Sequence, residues 1–293
     1  MPRPRRRGRG RGCRHRHPAQ HHRGRGGMTP EDHARAAADL LEAERTGRQI
    51  GLLSRRFPGI AMDDAYAIQT EILRAKEAAG RKVIGWKIGL TSRAMQDALG
   101  IDIPDSGILF DDMVFDHGAT VPQGRFIQPR IEAEIAFVMN SALGGDGITR
   151  SDVLAATDHV APALEILDTR ILRRDPETGA ARTVFDTISD NAANAGIVLG
   201  TERHAPDAVD LRWVGAITSR DGVVEETGLG AGVLNDPVES VVWLARRMAQ
   251  YGQRIAPGQV ILSGSFIRPV ECPPGTRIEA DFGPFGAVCV AFA

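Results

Sequence analysis

The chain has 293 residues, with 36 basic and 37 acidic side chains, a net charge of −1 and three cysteines. Such a length supports one large domain or two modest ones, with ample core either way. Cysteines at positions 13, 272 and 289 have neither disulfide-framework nor zinc spacing and point to a reduced, cytoplasmic protein, and no run is long and apolar enough to span a membrane.

Charge is unevenly distributed. Residues 1–27 hold ten arginines, several histidines and glycines and no acid, so they cannot bury a core and are expected to be disordered. One reading of this tail is an RGG-like RNA-binding arm. The preferred reading is a misplaced start, with Met28 the genuine first residue, because Met28-Thr29-Pro30 opens a helix at once. The rest of the chain carries 26 basic and 37 acidic residues. A mildly acidic body argues against nucleic acid as partner of the folded part.

In chain order, Thr29 reads as an N-cap with Pro30 at the first helical position, and the helix is expected to run to Thr46. A second helix spans Asp63 to Ala79, with Ile68, Ile72, Ala75 and Ala79 on one stripe and Gly80 as its stop. From Val83 onward, short apolar runs separated by Gly, Pro and Asp turns dominate: VIGWKIGL, GILFDDMVF, IEAEIAFVM, APALEILD, AGIVLG, DLRWVGAITS, VVEETG, QVILSGSF, RIEADF and AVCVAF. Further helices are expected over Arg93–Leu99, Ser151–His159 and from Asp236 to Gln250. Strands without regular helical crossovers indicate a β-rich α+β fold rather than a Rossmann sheet. The organisation expected is a tail over 1–27, an N-terminal helical subdomain over 28–82 and a β-rich catalytic domain over 83–293.

Three acids stand out against this pattern. Glu132 and Glu134, in RIEAEIAFVM, point to one face of their strand, which they share with Ala136 and Val138. Glu165, in APALEILD, shares its face with Ala163 and Leu167. Carboxylates on apolar faces are costly unless a cation or protons neutralise them, and an all-oxygen set suits a hard divalent ion, Mg²⁺ or Mn²⁺. A solvated edge strand is the plain alternative for Glu-x-Glu alone. Lys87, one of only three lysines, lies inside the apolar strand IGWKIGL, either snorkelling to water or holding a substrate carboxylate or developing enolate oxygen. Asp105 precedes a strand in a Pro-Asp-Ser turn, where it is either structural or a proton shuttle.

GWKIGLTSRAMQ, PDSGILFDDM, RFIQPRIEAEIAF, PALEILDTR and VFDTISDNAANAGIVLG occur in this order. Together they resemble the 2-oxohept-3-ene-1,7-dioate hydratases and their 2-oxopent-4-enoate relatives, of the fumarylacetoacetate hydrolase superfamily, over residues 30–293. The resemblance implies a β-rich roll, assembly as homo-oligomers built from dimers, Glu132, Glu134 and Glu165 as metal ligands, and Lys87 and Asp105 as catalytic residues. It also implies addition of water at C4 of a 2-oxo-alkenedioate. The distal carboxylate of that diacid needs a cation, and Arg130, Arg170, Arg182 and Arg268 are the candidates. Ser189 and Asn191 are candidates to line the pocket. The polar stretch RRDPETGAARTVFDTISDN reads as structureless before its end and as a candidate lid. The competing readings are a 2-oxo-3-enedioate decarboxylase, a hydratase of monoacids, a non-catalytic metal-binding scaffold and an RNA-binding protein acting through the tail.

Overall fold

Helix α1 (Pro30–Thr46) begins where its capping residues place it. The Thr29 hydroxyl accepts from the Asp32 amide, and the Asp32 carboxylate accepts from the Thr29 amide in return. Gly47 closes the helix in the left-handed region, at φ 67°. A short α2 (Leu53–Arg56), not anticipated from the sequence, leads to α3 (Met62–Ala78). Ala36, Leu40, Leu53, Ile68 and Ile72 form a core with Ile171, from much later in the chain. The Ser54 amide and hydroxyl also donate to the Asp186 carboxylate, so the helices are pinned to the body. The computed structural model describes residues 27–293 except 94, 95, 98–100 and 102. The Arg/Gly-rich tail up to residue 26, with both readings of it, and most of the helix expected over Arg93–Leu99 lie outside the described residues.

The rest is built on two mixed sheets, an α+β arrangement. The larger contains β1 (Val83–Gly89), β2 (Asp105–Phe110), β3 (Val114–Phe115), β5 (Arg130–Met139), β6 (Thr157–Leu167), β7 (Asn194–Leu199), β10 (Val260–Leu262) and β11 (Val270–Glu271). Its order is β2-β1-β10-β5-β6-β7-β3, with β11 also pairing β5. The smaller, ordered β4-β13-β12-β8-β9, contains β4 (Thr120–Val121), β8 (Gly215–Arg220), β9 (Val223–Leu229), β12 (Arg277–Asp281) and β13 (Ala287–Phe292). Most pairs are antiparallel; β1–β10, β3–β7 and β4–β13 are parallel. Among the described residues, no helix is long and apolar enough to cross a membrane.

Several expected boundaries shift for local reasons. The helix expected over Ser151–His159 ends early, as α4 (Arg150–Ala156). There the Thr157 hydroxyl donates to the Val153 carbonyl, and β6 takes over to pair with β5 along nearly its whole length. GILFDDMVF is broken by a 3₁₀ turn at Asp111–Met113, and DLRWVGAITS by another at Leu211–Trp213. The segment read as a structureless lid is ordered. Arg174 and Ala181 form an isolated bridge, the Asp175 carboxylate accepts from the Glu177 and Thr178 amides, and α5 (Val184–Ser189) follows with a Thr183 cap. The remaining helix, α6 (Pro237–Gln250), starts at Asp236 as its sequence indicates.

Candidate active site

Register brings the acids together. Glu132 on β5 is the direct partner of Glu165 on β6, and Glu134 pairs Ala163. One carboxylate oxygen from each of Glu132, Glu134 and Glu165 lies within 4.8 Å of the others. Glu134 and Glu165 are fully buried, whereas Glu132 is partly exposed. Beside them is an apolar floor of Leu109, Ala136, Ala163, Ile197 and Leu262, one side chain from each of five strands of the larger sheet. In such surroundings charge is expensive. Burial, then the neighbouring Glu165 charge, pushes the Glu132 pKa up to about 8. Burial and the Glu132 charge push Glu134 up to about 7, against the pull of Lys87 and of the Gly264 amide. Burial raises Glu165 well above the ordinary range, although Lys87 opposes it.

Both carboxylate oxygens of Glu165 and Oε1 of Glu134 are buried without a hydrogen-bond partner. Converging oxygens, orphaned and like-charged, fit a hard divalent cation, which would replace the missing partners and offset the repulsion. Glu134 Oε2 is already fixed, accepting from the Gly264 amide at 2.6 Å. Gly264 has φ 110° and packs against Thr91, whose side chain an added Cβ would strike. This ligand-orienting glycine follows the β10 strand, 130 positions beyond Glu134, and sequence reading missed it.

Lys87 and Asp105 join the same face from β1 and β2, where Lys87 pairs Gly107 and Gly89 pairs Asp105. The Lys87 ammonium is nearly buried and lies 3.5 Å from Glu165 Oε1. Burial alone would lower its pKa, but the charges of Glu165, Asp105, Glu132 and Glu134 outweigh burial and hold the ammonium protonated. Asp105 is 2% exposed, and its Oδ1 has no hydrogen-bond partner. Burial raises its pKa against the opposing Lys87 charge. Both groups occupy the space over Gly89, where a Cβ would overlap Asp105 Oδ1 and approach Lys87 Nζ to 2.9 Å. Gly107 likewise leaves room for the Lys87 stem. The glycines of GWKIG and PDSG are therefore needed for side chains to converge, beyond any role in turns.

The other sequence candidates divide. Ser189 is fully buried with an unpartnered hydroxyl. Asn191 lines a small cavity of about 10 Å³ with Arg170 and Asn194, and its amide is engaged: its Oδ1 accepts from the Ile108 amide at 2.8 Å and its Nδ2 donates to the Ile108 carbonyl at 2.9 Å. It anchors β2 from a run, Asn191–Ala193, with φ of 51°, 53° and 60°, a conformation costing about 1–3 kcal/mol per residue. Arg170 is also taken up by the fold. Its Nε pairs with the Asp190 carboxylate, and its Nη groups donate to the Asp190 and Asn194 carbonyls. Those bonds leave Arg170 unsuited to binding substrate. Arg130 pairs with Glu271 at 2.6 Å. Arg268 is exposed and pairs with Glu226 at 2.7 Å. Arg182 has a buried Nη1 without a partner.

A pocket of about 290 Å³ reaches Glu132 and is lined further by Gly89, Thr91, Glu226, Ser265 and Arg268. A larger cavity of about 420 Å³ lies between α3 and α6, against Trp86, Ser106 and Ile108, and touches none of the three glutamates. Those three residues alternate with Lys87 and Asp105 along their strands, so the larger cavity lies behind the site.

Over 260 residues the chain is 50% identical to the 2-oxo-hept-4-ene-1,7-dioate hydratase of Escherichia coli, covering 89% of this chain and 97% of that protein. The chain belongs to the hydratase/decarboxylase family of the fumarylacetoacetate hydrolase superfamily. It is 41% identical over 265 residues to the 2-keto-4-pentenoate hydratase of Paraburkholderia xenovorans, covering 90% of this chain and 96% of that protein. Among solved structures it is similar to the 4-oxalocrotonate decarboxylase of Pseudomonas putida G7, complexed with magnesium and adipate. The TM-score is 0.85 at 34% identity, covering 91% of this chain and 99% of that one. No family model matches the chain. Hydratases and decarboxylases of this family both break or form bonds without hydrolysis or redox change, so the chain is a lyase.

Proposed function

We propose that this lyase is a metal-dependent hydratase of 2-oxo-alkenedioates, converting 2-oxoheptene-1,7-dioate to 4-hydroxy-2-oxoheptane-1,7-dioate in aromatic catabolism. The observation that carries the reading is the buried set of Glu132, Glu134 and Glu165 facing Lys87 and Asp105. The identity to a relative named as a hydratase of such a diacid adds to it. That name places the double bond at C4, whereas the family the motifs resemble is named for a C3 double bond. Both are keto forms of one dienol, 2-hydroxyhepta-2,4-dienedioate, protonated at C3 or at C5.

A magnesium or manganese ion held by the three glutamates would polarise the C1 carboxylate and C2 oxygen of the substrate as a Lewis acid. The chain's own part follows from its charges. Asp105, raised in pKa and buried, takes the 2-hydroxyl proton and delivers one to C5, giving the conjugated 2-oxo-3-ene. C4 is then electrophilic, and water adds there. The displaced electron pair moves to the C2 oxygen, where the Lys87 ammonium supplies positive charge that the apolar floor leaves unscreened. Protonation at C3 completes the hydration.

The decarboxylase reading shares these early steps, and similarity to a solved decarboxylase favours keeping it as the second. The test is a product assay with the dienol diacid and Mg²⁺. A gain of one water, lost on chelation, supports the hydratase. Release of carbon dioxide from the six-carbon homologue, whose far carboxylate can leave its electron pair to the conjugated C2 ketone, with no hydration of the seven-carbon diacid, replaces it with the decarboxylase. No metal-dependent turnover of the seven-, six- or five-carbon dienol overturns both.

In the same reading, residues 28–82 serve as a helical subdomain docked on a catalytic domain of residues 83–293. The body works in the cytoplasm, consistent with the free thiols of Cys272 and Cys289, and does not take nucleic acid. Homo-oligomer assembly is supported by exposed Trp213, Ile217, Val223, Val224 and Leu229 on and beside the β8–β9 edge of the smaller sheet. Light scattering that finds a monomer at micromolar concentration would count against assembly.

A further inference from the structure

We propose that Arg182, with Arg130 and Arg173, forms the clamp for the distal carboxylate of the diacid and so sets selectivity for dioates over monoacids. This inference rests on the hydratase reading for the identity of its ligand. Its grounds are an excess of positive charge with too few partners. Arg130 Nε, Arg173 Nε and Arg182 Nη1 are all buried without a hydrogen-bond partner. Arg130 lies 2.6 Å and Arg173 4.0 Å from a single carboxylate, the exposed Glu271. Arg182 has no ion pair within 4.0 Å among the described residues. Arg130 and Arg173 thus share one solvent-screened acid, and Arg182 is balanced only at longer range, by Asp190 and Asp186. Burial, and then the charges of Arg130 and Arg182, depress the Arg173 pKa, as expected of cations held close together.

The cluster also lies where a seven-carbon chain would end. Arg130 precedes Glu132 by two positions on β5 and faces the same way, roughly 7 Å along the strand. A diacid bound through C1 and C2 at the glutamates extends about 6 Å to its far carboxylate. Arg173 and Arg182 come from opposite sides of the ordered hairpin, joined by the Arg182 amide donating to the Arg173 carbonyl at 3.0 Å. The Arg182 charge is felt at Asp105 and the Arg130 charge at Arg182, in keeping with a hairpin that sits beside both regions. Of the remaining arginine candidates, Arg170 has its donors occupied and Arg268 is solvent-exposed and paired. A planar guanidinium with a free edge suits a carboxylate better than an ammonium would.

The test compares kcat/KM for 2-hydroxyhepta-2,4-dienedioate and 2-hydroxypenta-2,4-dienoate in wild type, Arg182→Gln and Arg182→Lys, with melting temperature as a check on folding. The ratio of diacid to monoacid kcat/KM is expected to fall about 50-fold in Arg182→Gln, mainly through the diacid KM, and to recover partly in Arg182→Lys. An unchanged ratio overturns the clamp. Failure of the wild type on both dienols would instead sink the hydratase reading. The clamp is then read by calorimetry with metal-loaded protein, comparing 2-oxoheptanedioate with 2-oxopentanoate. A preference for the diacid that Arg182→Gln abolishes supports it, and no preference in the wild type overturns it.

Discussion

Glu132 and Glu165 face each other as directly paired residues on neighbouring antiparallel strands, with Glu134 one pleat further along the first. Two like charges opposite one another destabilise a sheet pair, and burial on an apolar floor sharpens the penalty. The arrangement is stable only with protons or a cation present, and both consequences can be measured.

Removing one charge should separate stability from metal binding. Glu134→Gln keeps an oxygen for the Gly264 amide and relieves repulsion, so the metal-free protein should gain about 1–2 kcal/mol. Affinity for Mg²⁺ or Mn²⁺ should fall on the order of 100-fold. Chemical denaturation with chelator and titration calorimetry with metal check the two halves.

Metal-free stability should fall as pH rises. Glu132 and Glu134 hold their protons to about 8 and about 7 in the folded protein, against the ordinary glutamate range when unfolded. The folded state therefore binds more protons between about pH 4.5 and 8, and stability present below that window is lost across it. Saturating metal should flatten the slope, and metal binding near pH 7 should release protons. Denaturation series with and without EDTA, and calorimetry in buffers of different ionisation enthalpy, test this; a slope rising with pH in EDTA contradicts it.

Lys87→Met should leave metal binding measurable while product formation drops roughly 10²–10³-fold, the usual consequence of removing one preorganised positive group. If the variant instead loses the metal at equal activity per bound ion, Lys87 serves the fold of the site rather than its chemistry.

Gly89→Ala introduces a methyl where Asp105 Oδ1 and Lys87 Nζ now lie. Displacing both groups by part of an ångström should lower kcat about 100-fold, while overpacking costs about 1–3 kcal/mol. Metal affinity, set on β5 and β6, should change little.

Asn191→Ala strips two buried hydrogen bonds from the Ile108 backbone at a left-handed position. A loss of about 2–4 kcal/mol is expected, with m-value unchanged in urea unfolding. A change below 0.5 kcal/mol would show that Asn194, which also donates to the Ile108 carbonyl, carries the anchor alone.

The acids were legible because strand alternation is local: Glu-x-Glu among apolar residues fixes a face without tertiary knowledge. Lys87 stood out because lysine is scarce in this chain. What sequence could not supply was partnership. Arg170 and Arg182 look alike in the chain, yet Asp190 engages one and leaves the other's Nη1 bare. Arg173, between them, was missed for the same reason. Gly264 has no local signature of a ligand-orienting amide, since that role depends on a strand pairing across 130 positions. The helix expected over Ser151–His159 overran because the pull of β5 on Thr157 is invisible to local periodicity.

The β10 strand is three residues long, yet among the described residues it alone joins β1 to β5 within the larger sheet, and the glycine that orients Glu134 follows it. Lys87 and Asp105 are synthesised in the first half of the chain, and the glutamates soon after. They remain on unjoined pieces of sheet until residues 260–264 leave the ribosome. Truncation before that point should give no partially active fragment, and an ion captured during synthesis would meet only part of the final cage. The order of translation thus delays the competent site until residue 264 has been made.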